Sequence, residues 1–199
     1  MMRVVSMVVG SMRLEVVEAE GELKDFVRKL AYELFGSEGY WVEVGLEWDR
    51  RWVRTLVLLV DGEPVGFNQV YVWPCCDDKL MLGVHHYAGV RPEFQGRGYG
   101  KILIASGEEV LEELGAEVFA ATLRADNTAS RRMLESLGYD VMTWDDLRRK
   151  LGNEITEDIL YVTGGYTDDL VALKTGCCPW RDPVEYIASK VGASARAYR

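Results

Sequence analysis

The sequence is short of positive charge and of long apolar runs, and each shortage excludes a class of protein. It contains 23 Lys and Arg residues against 32 Asp and Glu residues, for a formal net charge of -9. A nucleic-acid-binding surface needs a basic patch that follows the phosphates, and none stands out, so we expect no nucleic-acid partner. An amine or another cationic substrate suits this negative balance better.

The first residues are too interrupted for a targeting segment. In MMRVVSMVVGSMRLEVV the apolar pieces are short and are separated by Arg3, Ser6 and Gly10. A signal peptide or a membrane span needs a longer apolar run. The sequence therefore predicts a cytoplasmic protein without a membrane span. Residues 1–11 are expected to be an N-terminal extension, for which an extra strand, a disordered tail and an early start codon are the alternatives.

Four cysteines form two adjacent pairs, Cys75 with Cys76 and Cys177 with Cys178. Zinc sites usually space paired ligands as C-x2-C, so we expect no metal site. The chain has only two Gln and three Asn, a shortage of heat-labile amides that points to a thermophile. Because cytosolic proteins of hyperthermophiles do contain disulfides, a bridge between the two pairs is one alternative, and free thiols are the default.

Strand and helix patterns follow one another from residue 12 to residue 145 without a repeat or a linker. MRLEVVEA predicts a strand, residues 21–36 a helix, and the aromatic, acidic segment 37–54 a short helix or a loop. TLVLLVDGEPVGFNQVYVWP predicts a hairpin that turns at Asp61 and Gly62, and KLMLGVHHYAGV predicts a third long strand. The order strand, helix, strand, helix that follows predicts a right-handed crossover. The fold class is therefore α/β or α+β, with a mixed sheet flanked by helices.

The segment DNTASRRMLESLGYD predicts a short helix with Asp126 or Asn127 at its N-cap and Gly138 past its end. The residues expected on its inner face are Ala129, Met133, Leu134 and Leu137. Residues 146–199 are expected to be a C-terminal extension that completes the sheet, covers the site, or pairs with a second copy in a homodimer.

Closely spaced glycines stand between a predicted strand and a predicted helix in GVRPEFQGRGYGKILI, residues 89–104. A Walker A loop needs one residue more between Gly96 and Gly100, and a dinucleotide fingerprint needs a further glycine after Gly100. Both nucleotide-binding patterns therefore fail on spacing. Such glycines still let successive amides turn toward one point, and the helix N-terminus adds partial positive charge, so the loop suits an anionic pyrophosphate. Lys101 can add a direct charge contact.

This loop resembles the central motif of the GNAT superfamily of N-acetyltransferases, Q/R-x-x-G-x-G/A, which begins here at Gln95 and ends at Gly100. A second element of that superfamily, N-x-x-A-x-x-x-Y-x-x-x-G-F/Y, is similar to the stretch that begins at Asn127. With the upstream hairpin, the likeness covers about residues 12–143. It implies an acetyl-CoA-binding acetyltransferase domain over 12–145, with a mostly antiparallel sheet and a splayed parallel pair of strands.

The resemblance implies a set of residues for acetyl-CoA as cosubstrate. Backbone groups of Ala88 and Val90 would hold the pantetheine arm, and the Val90 amide would also be the oxyanion donor to the thioester carbonyl. Asn127 and Ser130 would contact CoA from the second helix. The pyrophosphate would lie on the amides of Gln95, Gly96, Arg97, Gly98, Tyr99, Gly100 and Lys101.

Acetyl transfer to an amine needs a base, and both histidines of the chain lie on the strand that enters the loop. Strand alternation would put His86 on one face with Ala88 and Val90, and His85 with Tyr87 on the other. His86 also matches the register of histidines that face the acceptor in arylalkylamine-type relatives. It is therefore the predicted base, and His85 is expected to be structural.

The superfamily often has a tyrosine acid seven residues after the motif asparagine, but Leu134 stands at that position here. Tyr87 and Tyr139 are the candidate acids, or the CoA thiolate leaves without one. Glu43, Glu47 and Asp49 are candidates to bind a cationic acceptor, and the alternative for them is a solvated loop. The aromatic residues expected as walls of that acceptor site are Trp41, Trp48 and Trp52.

The sequence thus predicts an N-acetyltransferase that moves acetyl directly from acetyl-CoA to an amine, on a small molecule or a protein N-terminus. The alternative is a CoA-binding sensor or partner-binding module without turnover, which the missing tyrosine favours.

Overall fold

The computed structural model describes residues 3–9, 11–176 and 180–192, with the backbone alone for residues 3–5 and 9. Two compact units make up the chain: residues 1–71 with 85–110, and residues 72–84 with 111–199. Cys177 and Cys178 lie outside the described residues, and so does the alternative of a disulfide bridge to them. Cys75 and Cys76 are free and buried, with their sulfur atoms 3.0 Å apart.

Eight strands form the sheet: β1 Arg3–Val9, β2 Met12–Glu18, β3 Val53–Val60, β4 Glu63–Cys75, β5 Leu80–Val90, β6 Val118–Leu123, β7 Asp140–Thr143 and β8 Leu170–Thr175. The helices of the described residues are α1 Glu22–Phe35, α2 Gly39–Gly45, α3 Tyr99–Glu113, α4 Thr128–Ser136, α5 Trp144–Leu151, α6 Asn153–Thr163 and α7 Pro183–Val191. Short 3-10 turns lie at Gly36–Glu38 and Pro92–Phe94.

The strand order is β1-β2-β3-β4-β5-β6-β8-β7. Strands β5 and β6 are parallel, while the pairs β1–β2, β2–β3, β3–β4, β6–β8 and β7–β8 are antiparallel. The predicted fold class, a mixed and mostly antiparallel sheet with one parallel pair and flanking helices, is confirmed. The parallel ladder joins Leu82–Val84 to Val118–Ala120, and β5 continues to Val90 past the last of these pairs.

The first unit contains an antiparallel meander that begins with β1, paired along β2 from Arg3 opposite Val17 to Val9 opposite Met12. Strands β3 and β4 form the predicted hairpin, which closes at Asp61 and Gly62 with φ of 51° and 87°. Two successive positive φ angles are typical of a type I′ turn, whose twist matches that of the strands.

Helix α1 buries one stripe of apolar residues, Val27, Leu30 and Ala31, in a core that includes Phe67 of β4. The segment after α1 folds back on it through the Gly36–Glu38 turn. A Cβ on Gly39 would lie 2.8 Å from the Tyr32 backbone nitrogen, so only glycine permits this return. The segment then forms α2, which decides between the helix and the loop expected there.

In the second unit, β8 comes from the residues past 145 and pairs with both β6 and β7. Asn127 is the N-cap of α4, and its side chain accepts a hydrogen bond from the Ser130 amide. Leu134 is buried, but Ala129 is exposed, so the prediction that Ala129 faces inward was wrong. Ala129 lies five residues before Leu134, which places it about 140° away around the helix. No helix in the described ranges is both long and apolar enough to cross a membrane.

Candidate functional site

The glycine loop connects β5 to α3 within the first unit. The Gln95 side-chain amide donates to the Val90 carbonyl at 2.9 Å, which folds the loop back on the strand end. Gly96 and Gly98 have φ of 75° and 83°, and an added Cβ on either would meet nothing within 4 Å. Glycine is therefore needed here for its backbone conformation, and the surface in front of the loop is open.

Backbone amides of residues 96–100 have no acceptor among the described residues. The Gln95 amide donates to the Pro92 carbonyl at 3.2 Å, and the Lys101 amide donates to the Gly98 carbonyl at 3.1 Å. Of the backbone amides from Gln95 to Lys101 that were expected to hold the pyrophosphate, the two at the ends are thus already hydrogen-bonded within the loop. Consecutive unpaired amides at a helix N-terminus are a site for an anion.

Side chains of the loop differ in what they can offer such an anion. Tyr99 is buried, so its backbone is the part that faces the loop surface. Arg97 donates to the Glu93 carbonyl at 3.1 Å and lies over the Phe94 ring. Lys101 is exposed and has no ion pair with any residue that the structure describes. Its ammonium is therefore free to meet a phosphate.

His85 points to the α3 side of β5. Its Nδ1 lies 3.0 Å from Asn68 Nδ2, which also donates to the Leu103 carbonyl of α3 at 3.0 Å. A Cβ on Gly107 would lie 2.8 Å from His85 Cε1, so the imidazole is packed directly against this helix. His85 is 5% exposed, which leaves it little access to a substrate.

His86 and Tyr87 both point to the opposite side of β5, toward α1 and α2. His86 Nδ1 lies 3.1 Å from Gln69 Oε1, and Gln69 is itself bonded to the Val42 carbonyl of α2. Tyr87 donates its hydroxyl to Glu38 Oε2 at 3.2 Å, and its ring packs on Phe35.

The predicted alternation along β5 was therefore wrong, since His85 and Tyr87 lie on different faces. His86 also does not share a face with Val90, because Val90 packs with Leu103 of α3 around Gly66. One extra residue in a strand, as in a β-bulge, shifts the alternation in this way. Ala88 is exposed within the irregular part of the strand.

The rings of Tyr71 and Tyr87 lie 5.3 Å and 4.5 Å from the His86 ring, centroid to centroid. Burial lowers the pKa of His86 from 6.5 to about 4 and also raises the pKa of Tyr71. His86 is consequently neutral at pH 7. The neutral imidazole is the form that can accept a proton.

Acidic residues predicted to bind a cationic acceptor already have cationic partners. The closest nitrogen lies 3.1 Å from Glu43 on Arg28, 3.4 Å from Glu47 on Lys24 and 2.6 Å from Asp49 on Arg51. Trp41, Trp48 and Trp52 are exposed by 39% to 53%. Glu38 differs, because in the described part of the chain its one partner is the Tyr87 hydroxyl.

Asn127 and Ser130 belong to the second unit, at the start of α4, where the Asn127 side chain serves as the helix cap. Tyr139 is buried there, and the Lys174 ammonium lies over its ring at 5.5 Å. A buried ring in a cation-π contact is better explained by packing than by acid catalysis.

Comparison with known proteins agrees with this geometry. The family model described as "Acetyltransferase (GNAT) family" matches residues 21–139. The chain belongs to the GNAT acetyltransferase family. It is 29% identical over 121 residues to the mycothiol acetyltransferase of Paenarthrobacter aurescens, covering 61% of this chain and 32% of that protein. It is 28% identical over 126 residues to the L-2,4-diaminobutyric acid acetyltransferase of Streptomyces coelicolor, covering 62% and 66%.

Solved structures of GNAT proteins share the fold at low sequence identity. An acetyltransferase of the GNAT family from Staphylococcus aureus superposes with a TM-score of 0.57 at 8% identity, over 81% of this chain and 98% of that one. The aminoglycoside N-acetyltransferase AAC(6')-Iy, solved in complex with CoA, superposes with a TM-score of 0.56 at 20% identity, over 67% and 92%. The chain spans only about a third of the mycothiol acetyltransferase that it matches.

The structure brings together three residues that the sequence motifs do not include. Asn68 and Gln69 are fully buried neighbours on β4, and each is bonded to one of the two histidines. Their signal in the sequence is a pair of amides inside the apolar run of GFNQVYV. Glu38 had no signal beyond its place in an acidic segment.

Proposed function

We propose that the chain is an acetyl-CoA-dependent N-acetyltransferase that moves the acetyl group directly to a primary amine. The observation that carries the proposal is the row of unpaired amides from Gly96 to Gly100 at the start of α3, in a member of an acetyltransferase family. An anion on these amides gains hydrogen bonds that the protein itself does not satisfy. The pyrophosphate of CoA has the charge and the size for this position.

Residues around the loop fit CoA in character as well as in position. Lys101 supplies an unpaired positive charge beside the amides, and Ala88 and Val90 supply extended backbone for the pantetheine amides. Acetyl-CoA, when bound, would supply an activated acetyl thioester. The protein binds it, orients it and manages the proton of the acceptor.

His86 is the group that we assign to the proton. The acceptor binds as an ammonium ion and first loses one proton to solvent, which leaves a neutral amine. Its nitrogen then forms a bond to the acetyl carbon, the bond from that carbon to sulfur breaks, and a second N–H proton must leave the nitrogen. The neutral imidazole of His86, with a pKa of about 4, is a weak base. It takes this proton best while the C–N bond forms, because the acceptor nitrogen is most acidic at that stage. The departing thiolate takes a proton from solvent.

Tyr87 has a different immediate role, since its hydroxyl proton is donated to Glu38. It holds the Glu38 carboxylate at the hydroxyl end of the Tyr87 ring, and that ring packs against His86. From there the carboxylate can attract the cationic acceptor before transfer. The acceptor class is accordingly a cationic amine, either a small molecule or a protein N-terminus.

Incubation with acetyl-CoA and a panel of amines, followed by the release of free thiol, tests the proposal. Thiol release that depends on the amine supports it. The His86→Ala variant should then lose about 10²- to 10⁴-fold in rate and still bind CoA by calorimetry. Binding of CoA without amine-dependent release by the wild type would instead identify a CoA-binding module, and absence of CoA binding would reject both functions.

A further inference from the structure

Gln69 connects three parts of the first unit through one buried side chain. Its Nε2 donates to the Val42 carbonyl of α2 at 3.0 Å and to Thr55 Oγ1 of β3 at 3.0 Å. Its Oε1 lies 3.1 Å from His86 Nδ1. The residue is 0% exposed, so water does not compete for any of these bonds.

The Val42 carbonyl fixes which way the Gln69 amide points. A carbonyl oxygen can only accept a hydrogen bond, so the atom that faces it must be the Gln69 nitrogen. Flipping the amide would put two carbonyl oxygens against each other and leave both unsatisfied in the interior, at a cost of about 1–3 kcal/mol for each. The Gln69 oxygen therefore faces His86.

This orientation in turn fixes the proton on His86. The Gln69 oxygen can only accept, so His86 Nδ1 must carry the hydrogen. The lone pair of the neutral ring is then on Nε2, which has no hydrogen-bond partner among the residues that the structure describes. His85 has the opposite arrangement, because its Nδ1 faces a donor, the Asn68 amide nitrogen.

We propose that Gln69 is a positioning residue that holds His86 in the Nδ1-protonated form and so makes Nε2 the proton acceptor. The proposal rests on the proposed function for its consequence in catalysis, but the tautomer can be observed without turnover. Gln69 acts through His86 and does not itself touch the substrate.

Gly45 gives an independent way to disturb the same arrangement. It is the last residue of α2, and a Cβ there would lie 2.4 Å from Gln69 Oε1 and 2.7 Å from Gln69 Nε2. Glycine at this position makes room for the Gln69 amide. Alanine has the higher helix propensity, so a loss of function in Gly45→Ala would come from the displaced amide and not from a weaker helix.

Nitrogen-15 spectra of the histidine rings test the proposal directly. The chain has only two histidines, so the spectrum contains two ring systems. At pH 7 we expect one ring protonated on Nδ1, His86, and one on Nε2, His85. Asn68→Leu serves as the matched control, because it should change the His85 signals and leave those of His86 in place.

In Gln69→Met and in Gly45→Ala we expect the His86 signals to move toward the Nε2-protonated form that free imidazole side chains favour. The rate constant kcat should fall about 10- to 100-fold, with the KM for acetyl-CoA unchanged. A wild-type His86 protonated on Nε2 would overturn the proposal, and so would an unchanged His86 tautomer in the two variants. The wild-type spectrum decides the question even if Gln69→Met fails to fold. Failure of the proposed function would show separately, as absence of CoA binding to the wild type.

Discussion

The depressed pKa of His86 has a consequence for stability that can be measured without knowing the acceptor. Burial lowers the pKa from 6.5 to about 4 in the folded protein. Between these two values the unfolded chain binds more protons than the folded one, so acid favours unfolding. The stability that the protein has relative to low pH because of His86 is fully present above about pH 6.5. It is lost as the pH falls toward 4.

The size of the effect follows from the shift. Below both pKa values it amounts to about 3 kcal/mol, and between pH 7 and pH 5 it amounts to about 2 kcal/mol. His86→Gln cannot take up a proton, so it should remove this part of the pH dependence and leave the contribution of all other groups.

Urea denaturation of the wild type and of His86→Gln at pH 7 and pH 5 measures the difference. We expect the wild type to lose about 2 kcal/mol more of its free energy of unfolding than the variant does over this interval. Equal losses in the two proteins would refute the assignment of a neutral His86 with a depressed pKa, whatever the enzyme activity.

Three further predictions concern other parts of the chain. Gly98→Ala should weaken CoA binding about 10-fold or more, because a side chain at positive φ costs about 1–2 kcal/mol and turns the amides away. Calorimetry measures this affinity, and the control Gly115→Ala, at φ of 88° beyond α3, should leave it unchanged. Glu38→Gln should raise the KM for the amine about 10-fold and leave the KM for acetyl-CoA alone; steady-state kinetics check it against Glu47→Gln, and an equal effect of both would remove Glu38 from the acceptor site. Glu18→Gln should cost about 2–3 kcal/mol of unfolding free energy, because the buried Glu18 pairs with Arg50 and Arg54. The control Glu33→Gln, which breaks an exposed pair with Lys29, should cost about zero. Similar urea midpoints for the two variants would contradict this prediction.

Much of the fold could be predicted because local patterns and tertiary structure agree. The hairpin turn at Asp61 and Gly62 needs two residues with positive φ, and the sequence offers a pair suited to that conformation. The glycine loop could be predicted for the same reason, since Gly96 and Gly98 have a backbone conformation that other residues adopt only with strain.

Features that depend on side-chain contacts between elements could not be predicted in this way. Strict alternation along β5 predicted that His85 and Tyr87 share one face of the sheet. One irregularity in the strand was enough to move Tyr87 to the opposite face. The pairing of Glu43 and Glu47 with cations depends on where α1 and the following segment meet, which periodicity does not encode.

The amides of residues 96–100 carry the central claim, and a titration with CoA followed by amide proton and nitrogen-15 spectra observes them one by one. We expect the Gly96 to Gly100 amide signals to move downfield as each proton forms a hydrogen bond to the pyrophosphate, while the already bonded Gln95 and Lys101 amides move less. Shifts confined to other parts of the chain, with the amides of Gly96 to Gly100 unmoved at saturating CoA, would contradict the account.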